Sequence, residues 1–543
     1  MSREESLLIP GDTCWRIDKA DRVSFLVDGA DYFAAVKAAM NSAKHSIWLL
    51  AWVFDPLTRF EPDRVERSRD PQNPDRLGQL LRRLSALNPA LDVRILAWDM
   101  PPLIAMTQRF PGQRAKQYFE KSAVKFRLDN SLPMSACHHQ KVLVIDGRLS
   151  FISGGDLGAD RWDTCDHLDH DPNRRLPWGE RYPARHDVAM MAEGPVAQSA
   201  AELFAERWEN SGGGTLGIPE MAERSPWPEG FAEDLIDVEV ALTRTEPKWK
   251  NRPETQEGYR LHLNCIAAAR RTIFLENQYL ASPMIVAALC RRLEEPDGPE
   301  VITIGPSASP SFFDRMTMDS ARSRAINRLE QSDRFNRFRA FTARTANDRP
   351  IIVHSKVSIF DDSLLRIGSA NLNNRSGGLD TEVDAVIEAE DGAEGAETRR
   401  TIAAFRTMLI GHYFGRGLAE TQEAIREVGS VAGAIDALDG HPRRLLPIDH
   451  QKIDPLGRFV ASWSLGDPLS PSDAWRPWIR RSRIKEAMDC LPLPVRGSHG
   501  SDERDEATRA LRREAESPHR PPAEGGPTPS GPPDRKATPP SSP

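Results

Sequence analysis

His138-His139-Gln140-Lys141-Val142-Leu143-Val144-Ile145-Asp146-Gly147 sets a histidine and a lysine two positions apart at the mouth of an apolar run, and His354-Ser355-Lys356-Val357-Ser358-Ile359-Phe360-Asp361 does so again in the second half of the chain. On a strand, residues i and i+2 share a face, so His139 and Lys141 point the same way, as do His354 and Lys356. Each stretch delivers one imidazole and one ammonium to one spot. The runs 142–145 and 357–360 read as buried strands, and Asp146-Gly147 and Asp361-Asp362 as hairpin turns returning through 149–153 and 364–368. A lone histidine usually has no task. An H-x-K-x-x-x-x-D pattern arises by chance at roughly one position in ten thousand, so two at matching places carry chemistry.

Working outward, both motifs close the same series of elements. Alanine-rich helical stretches meet basic stops and strands at 43–50 and again at 269–276. β-like runs follow at 91–98 and 300–307, then helical segments, then short strands at 124–129 and 337–343. Two such copies imply an α/β fold of two pseudo-twofold-related α/β/α repeats with mixed, mostly parallel sheets and the active site at their interface. The boundaries expected are 1–225 and 226–437 for the repeats, 438–495 for a C-terminal extension, and 496–543 for a Pro-rich tail too poor in apolar residues to order itself.

Composition bounds the partners. A chain of 543 residues with 39% hydrophobic content exceeds one core, and a net charge of -7 supplies no global basic field for nucleic acid. The six cysteines are scattered without a C-x-x-C pair, which argues against a zinc knuckle and a disulfide framework. The N-terminal stretch has no basic segment leading into an apolar one, and no apolar run approaches the ~18 residues that span a bilayer. A soluble protein is expected, cytoplasmic or peripheral at a membrane, with export by a non-Sec route left open.

Other residue types gather around the motifs. Gly154-Gly155-Asp156 and Gly368-Ser369-Ala370-Asn371 follow the hairpins, with Asp156 and Asn371 equally far from their histidines. Glycine lets an oxyanion approach backbone N–H groups, and Ser369 and Asn371 are donors for phosphate oxygens. Asp187 and Glu382 could each accept from a histidine Nδ1–H and leave Nε2 free. Asp146 and Asp361 complete the catalytic motifs, an Asx contact at the turn being their other reading. Glu276, Asn277 and Gln278 end a strand level with the site and could shape a substrate pocket, or pack and turn the chain. The stretch from Asp166 to Asp171 reads as a solvated loop over the site mouth rather than a metal cluster. Trp475, Trp478 and Ile479 interleave with Arg476, Arg480, Arg481, Arg483 and Lys485, as a bilayer-surface helix or a packed terminal helix would.

On these motifs the chain resembles the phospholipase D superfamily over about residues 12–415. Gly154-Gly155, Asp160-Arg161-Trp162-Asp163-Thr164 and Arg185-His186-Asp187 resemble the first half of the eukaryotic-type enzymes, and Glu276-Asn277-Gln278-Tyr279 and residues 368–376 the second; the overall form is similar to minimal bacterial members. The resemblance implies hydrolysis of a phosphatidylcholine-like headgroup phosphodiester through a phosphohistidine on His139, with His354 as acid and then base. Lys141 and Lys356 would stabilise the charge that a metal stabilises elsewhere, so no cofactor or metal is expected. Phospholipid at a membrane surface is the expected partner, with no stable nucleic acid and one chain sufficing as a monomer. Phosphatidyl transfer, as in cardiolipin synthases, is the alternative, and a nuclease-type phosphodiesterase a weaker one.

Overall fold

The alanine-rich helices give way to strands because the chain must turn its apolar alternation from one helix face to two sheet faces. The first half runs β1 (Arg16–Val27), α1 (Asp28–Ser42), β2 (Ser46–Ala51), α2 (Leu77–Leu87), β3 (Asp92–Trp98), α3 (Pro102–Thr107), α4 (Pro111–Phe119), β4 (Lys125–Asp129), β5 (Val142–Ile145), β6 (Leu149–Ser153), β7 (Arg185–His186), β8 (Val188–Glu193) and α5 (Val196–Asn210). The second runs β9 (Leu235–Glu246), β10 (Thr255–Gln256), α6 (Glu257–Ala268), β11 (Thr272–Asn277), α7 (Pro283–Glu294), β12 (Glu300–Gly305), β13 (Phe338–Arg344), β14 (Ile352–Val353), β15 (Lys356–Phe360), β16 (Leu364–Gly368), β17 (Glu382–Glu388), the helix Ala396–Phe414 and β18 (Arg444–Pro447). The computed structural model describes residues 6–64, 73–309, 314–438, 443–448, 459–460, 462–489 and 491, so the tail expected from 496 lies outside the described residues.

Alternation along the strands decides the layers. Ile47 and Leu49 pack against α1 and α2, whereas Trp48 and Leu50 face α5, with Trp48 and Phe204 stacked at 5.0 Å. In the second half Ile273 and Leu275 meet α6 and α7, and Phe274 looks to the face covered by the helix Ala396–Phe414. Each half is thus a helix–sheet–helix sandwich.

The sheets of the two halves are one. Outward from β1 the order is β8, β6, β5, β2, β3, β4; outward from β9 it is β17, β16, β15, β11, β12, β13 and then β18. β1 and β9 join the two sets antiparallel, from Arg16 opposite Leu242 to Val23 opposite Leu235. The mixed α/β class holds, but two expectations need correction: the sheet is continuous, and it is not mostly parallel. Within it, parallel pairing is confined to β2-β3-β4 and β11-β12-β13, where helices make the crossovers. The hairpins β5-β6 and β15-β16 force antiparallel neighbours. The described residues, from 6 to 491, fall in a single compact unit. No helix among the described residues is long and apolar enough to cross a membrane.

The hairpin turns need left-handed backbone at both central residues. Asp146 and Gly147 have φ of 52° and 60°, and Asp361 and Asp362 have 53° and 58°. Aspartate tolerates that region better than most residues, which is why the second turn manages without glycine.

Candidate active site

Both H-x-K stretches end at the junction of the halves, and each half reaches across to the other. β7 pairs in parallel with β14, Arg185 opposite Ile352 and His186 opposite Val353, so the chain entering His354 runs beside the chain entering Asp187. On the other side His138 bridges Thr381, and His139 N–H donates to the Thr381 carbonyl at 3.1 Å, beside Glu382. The outcome is crossed. His139 Nδ1 lies 2.8 Å from Glu382 Oε2, and His354 Nδ1 lies 2.8 Å from Asp187 Oδ2. Ser369 and Ser376 hydroxyls each donate to Glu382 at 2.6 Å, which holds that carboxylate as an acceptor and leaves His139 Nε2 for chemistry.

The lysines curl back onto their own motifs. Lys141 Nζ donates to the His139 carbonyl at 2.7 Å and stands 3.6 Å from Asp156 Oδ2, while Lys356 Nζ donates to the His354 carbonyl at 2.5 Å. Burial, then the charges of Lys141 and Lys356, holds His139 well below the usual imidazole range. Burial, then Lys356, Arg185, Arg161 and Lys141, does the same to His354. That each ring feels both lysines is the electrostatic mark of one shared site. Burial pushes Glu382 up to about 8 and Asp187 upward too, and it pulls Lys356 down with help from the Lys141 charge. Burial thus disfavours the charged form of each imidazole and each carboxyl, and an arriving anion favours the charged imidazole.

The glycines make room. A Cβ on Gly154 would sit 2.4 Å from Asp187 Oδ1 and 3.3 Å from Lys356 Cδ, and one on Gly155 would sit 2.3 Å from Asp187 Oδ2. Asn371 is buried at the same level, its Oδ1 without a protein partner among the described residues.

Several residues expected in the site do other work. Asp146 and Asp361 stand at the far ends of β5 and β15 from the lysines, so they are not catalytic groups. Asp146 accepts from the backbone N–H groups of Lys44, His45 and Ser46 at 2.7–2.8 Å, and Asp361 from those of Arg270, Arg271 and Thr272 at 2.6–2.9 Å. They pin the start of β2 and β11 to the hairpins. Asp146→Ala is expected to cost about 2–3 kcal/mol of stability by stranding three donors, while turnover per folded molecule stays within about twofold; chemical denaturation and active-site-normalised assays check it.

Glu276 is a second correction. It is fully buried on the opposite side of the strand, 2.8 Å from Ser355 Oγ and 3.1 Å from His186 Nε2. Because Ser355 alternates with His354 and Lys356, its partner faces away from substrate. Asn277 accepts from Tyr279 N–H and Leu372 N–H and braces the loop after β16, and Gln278 donates to the Tyr279 hydroxyl at 2.9 Å. The loop from Asp166 is also less solvated than expected: His167 and Asp171 are buried, and Asp169 accepts from Asn347 Nδ2 at 3.0 Å in the other half.

Sequence reasoning did not assign Ser376, Arg161 or Arg185 to the site. Ser376 lay in a quoted motif with no charge to mark it. The arginines likewise stood only in quoted motifs, and their contribution to the field at His354 follows from tertiary contact.

Three comparisons bear on this geometry. A family model described as a cardiolipin synthase, PLD-like domain, matches residues 262–404. Phospholipase D A of Dictyostelium discoideum is 25% identical over 455 residues, which is 69% of this chain and 34% of that protein. Cardiolipin synthase A of Pseudomonas entomophila (strain L48) is 24% identical over 378 residues, 67% of this chain and 64% of that one. The chain thus spans about a third of the Dictyostelium protein. Among solved structures, the phosphatidylserine synthase of Haemophilus influenzae Rd KW20 superposes with a TM-score of 0.50 at 14% identity, covering 88% of this chain and 97% of that one. At that identity the likeness is one of fold.

Proposed function

We propose that the chain is a member of the phospholipase D superfamily, as the matching family model and relatives support, and that it cleaves the headgroup phosphodiester of a glycerophospholipid through a phosphohistidine on His139. The crossed pairing of His139 with Glu382 and of His354 with Asp187 carries this reading, since it leaves one Nε2 from each half for a single phosphorus. Family resemblance assigns the nucleophile to His139. The lone pair of its Nε2 forms the N–P bond as the P–O bond to the headgroup breaks, and His354, in its protonated form, gives the leaving oxygen a proton. His354 then takes a proton from the acceptor, whose oxygen displaces Nε2. Lys141 and Lys356 lie beside the oxygens on which charge accumulates. Water as acceptor gives phosphatidate, and a lipid or other alcohol gives a new phosphodiester.

Hydrolysis is the leading reading because the motif residues resemble the eukaryotic-type phospholipases. Transfer is the second, favoured by the cardiolipin synthase description of the matching model. Docking at a lipid surface fits the C-terminal helix Pro477–Asp489 and its approach, where Trp475 and Trp478 are 74% and 62% exposed, although Arg480 is buried against Asp473 and serves packing instead. The test incubates the protein with labelled phosphatidylcholine vesicles, phosphatidylglycerol vesicles and single-stranded DNA, with and without added glycerol. Labelled phosphatidate from phosphatidylcholine is the expected product. Cardiolipin from phosphatidylglycerol without phosphatidate would shift the assignment to transfer, and cleavage of DNA alone would end the lipid reading.

A further inference from the structure

Beneath the phosphodiester site lies a second cluster that the proposed reaction does not use. Asp28, His167, His186 and His412 are all buried, with one candidate ligand atom from each within 4.8 Å of the others. They come from far-apart segments: the junction of β1 and α1, the loop after β6, the end of β7, and the last turn of the helix Ala396–Phe414.

Hydrogen-bond bookkeeping at this cluster leaves two acceptor atoms, His167 Nε2 and Asp28 Oδ2, turned toward His412 Nε2. His167 Nδ1 is 2.9 Å from Asp163 Oδ2, and that carboxylate also accepts from Arg174 Nη1 at 3.0 Å and from Arg185 N–H at 2.8 Å. Asp163 can only accept, so His167 donates from Nδ1 and its Nε2 carries a lone pair. Asp28 Oδ1 is engaged by His186 Nδ1 at 2.8 Å, but Asp28 Oδ2 is buried with no hydrogen-bond partner among the described residues. His412 Nε2 completes the group. It lies 2.9 Å from His167 Nε2 and 3.5 Å from Asp28 Oδ2, and the last two are 3.6 Å apart. Ligand atoms around tetrahedral zinc, with bonds near 2.0–2.1 Å, stand about 3.3–3.5 Å from one another.

We propose that Asp28 Oδ2, His167 Nε2 and His412 Nε2 form a site for one divalent transition-metal ion, zinc by ligand preference. Two imidazoles and a carboxylate suit that ion better than magnesium or calcium, which take oxygen ligands. Asp163 and His186 supply the outer partners that fix a ligand's tautomer and a carboxylate's orientation. Asp28 also holds an uncommon left-handed backbone, φ 67°, and its N–H donates at 2.8 Å to the carbonyl of Asp187, the carboxylate that orients His354. The ion therefore ties three remote segments together under the site and stands apart from the reacting imidazoles.

The experiment uses the full chain and the metal alone. After incubation with zinc and desalting, elemental analysis is expected to find about one zinc per chain, and cobalt(II) in its place is expected to show the visible ligand-field bands of low coordination. His167→Gln and His412→Gln, with folding checked by circular dichroism, are expected to weaken zinc by at least ~10²-fold, and His170→Gln, an exposed neighbour in the same loop, to leave it unchanged. Sub-stoichiometric zinc in the unsubstituted protein, or retention unchanged in both glutamine variants, overturns the site. Should those variants not fold, absence of cobalt bands in the unsubstituted protein overturns it equally. Metal content is read without turnover, so failure here is distinct from failure of the proposed lipid reaction.

Discussion

His139→Ala is expected to lower turnover of a phosphodiester by at least ~10³-fold and to leave no phosphoenzyme on rapid alkaline quench, where a phosphohistidine survives. His354→Ala separates the two ring roles. With a natural alcohol leaving group it should fail almost as badly, because the departing oxygen has no proton source. With a nitrophenyl phosphodiester, whose leaving group needs no proton, it should still form the N–P bond and then stall, since no base activates water. A burst of about one nitrophenolate per chain followed by slow turnover is the expected trace. Equal, burst-free loss in both variants would contradict the division of labour between the halves, and near-normal turnover of His139→Ala would remove the covalent route altogether. The crossed partners sharpen the result. Glu382→Gln acts on the ring of the opposite half, so its defect should follow His139 in the burst experiment, and that of Asp187→Asn should follow His354.

How much of this was legible in the chain depends on whether the information is local. Alternation along a strand put His139 with Lys141 and His354 with Lys356, and the two Asp turns marked the hairpins. The repeated order of helix and strand announced the duplication. None of these needs a tertiary contact. The crossing did: nothing in the spacing says that Asp187 belongs to His354 rather than to His139, because the choice is made by β7 pairing with β14. Register misled the reading of Glu276 in the same way. Asn277 lies opposite Lys356 and Glu276 opposite Val357, one residue apart and on opposite faces, and a strand end quoted as a block hides that alternation. The motif aspartates take the backbone-contact role, the other of their two readings, for a simpler reason: four strand residues separate each from its lysine, and a strand rises about 3.3 Å per residue. His167 is the remaining lesson. Its charged neighbours Asp166 and Asp169 read as solvent-facing, yet a single inward turn of the loop buries the imidazole among two others.

The second large effect concerns charge. Lys141→Met is expected to reduce kcat/KM by ~10²-fold or more, through loss of a donor aimed at the developing oxyanion. It should also move the pH–rate profile, and the direction follows from like charges in a buried space. The Lys141 ammonium lowers the proton affinity of His139, His354, Lys356 and Glu382 alike. Removing it lets all four hold protons to higher pH. Both limbs of kcat/KM, which report the free enzyme, should therefore shift upward together, whereas loss of packing would lower the plateau and leave the limbs in place. Methionine keeps the aliphatic bulk, so the comparison isolates the charge. A profile that stays put, or moves to lower pH, would mean that the two motifs do not share one electrostatic environment. The single phosphorus centre served by both halves would then have no physical basis.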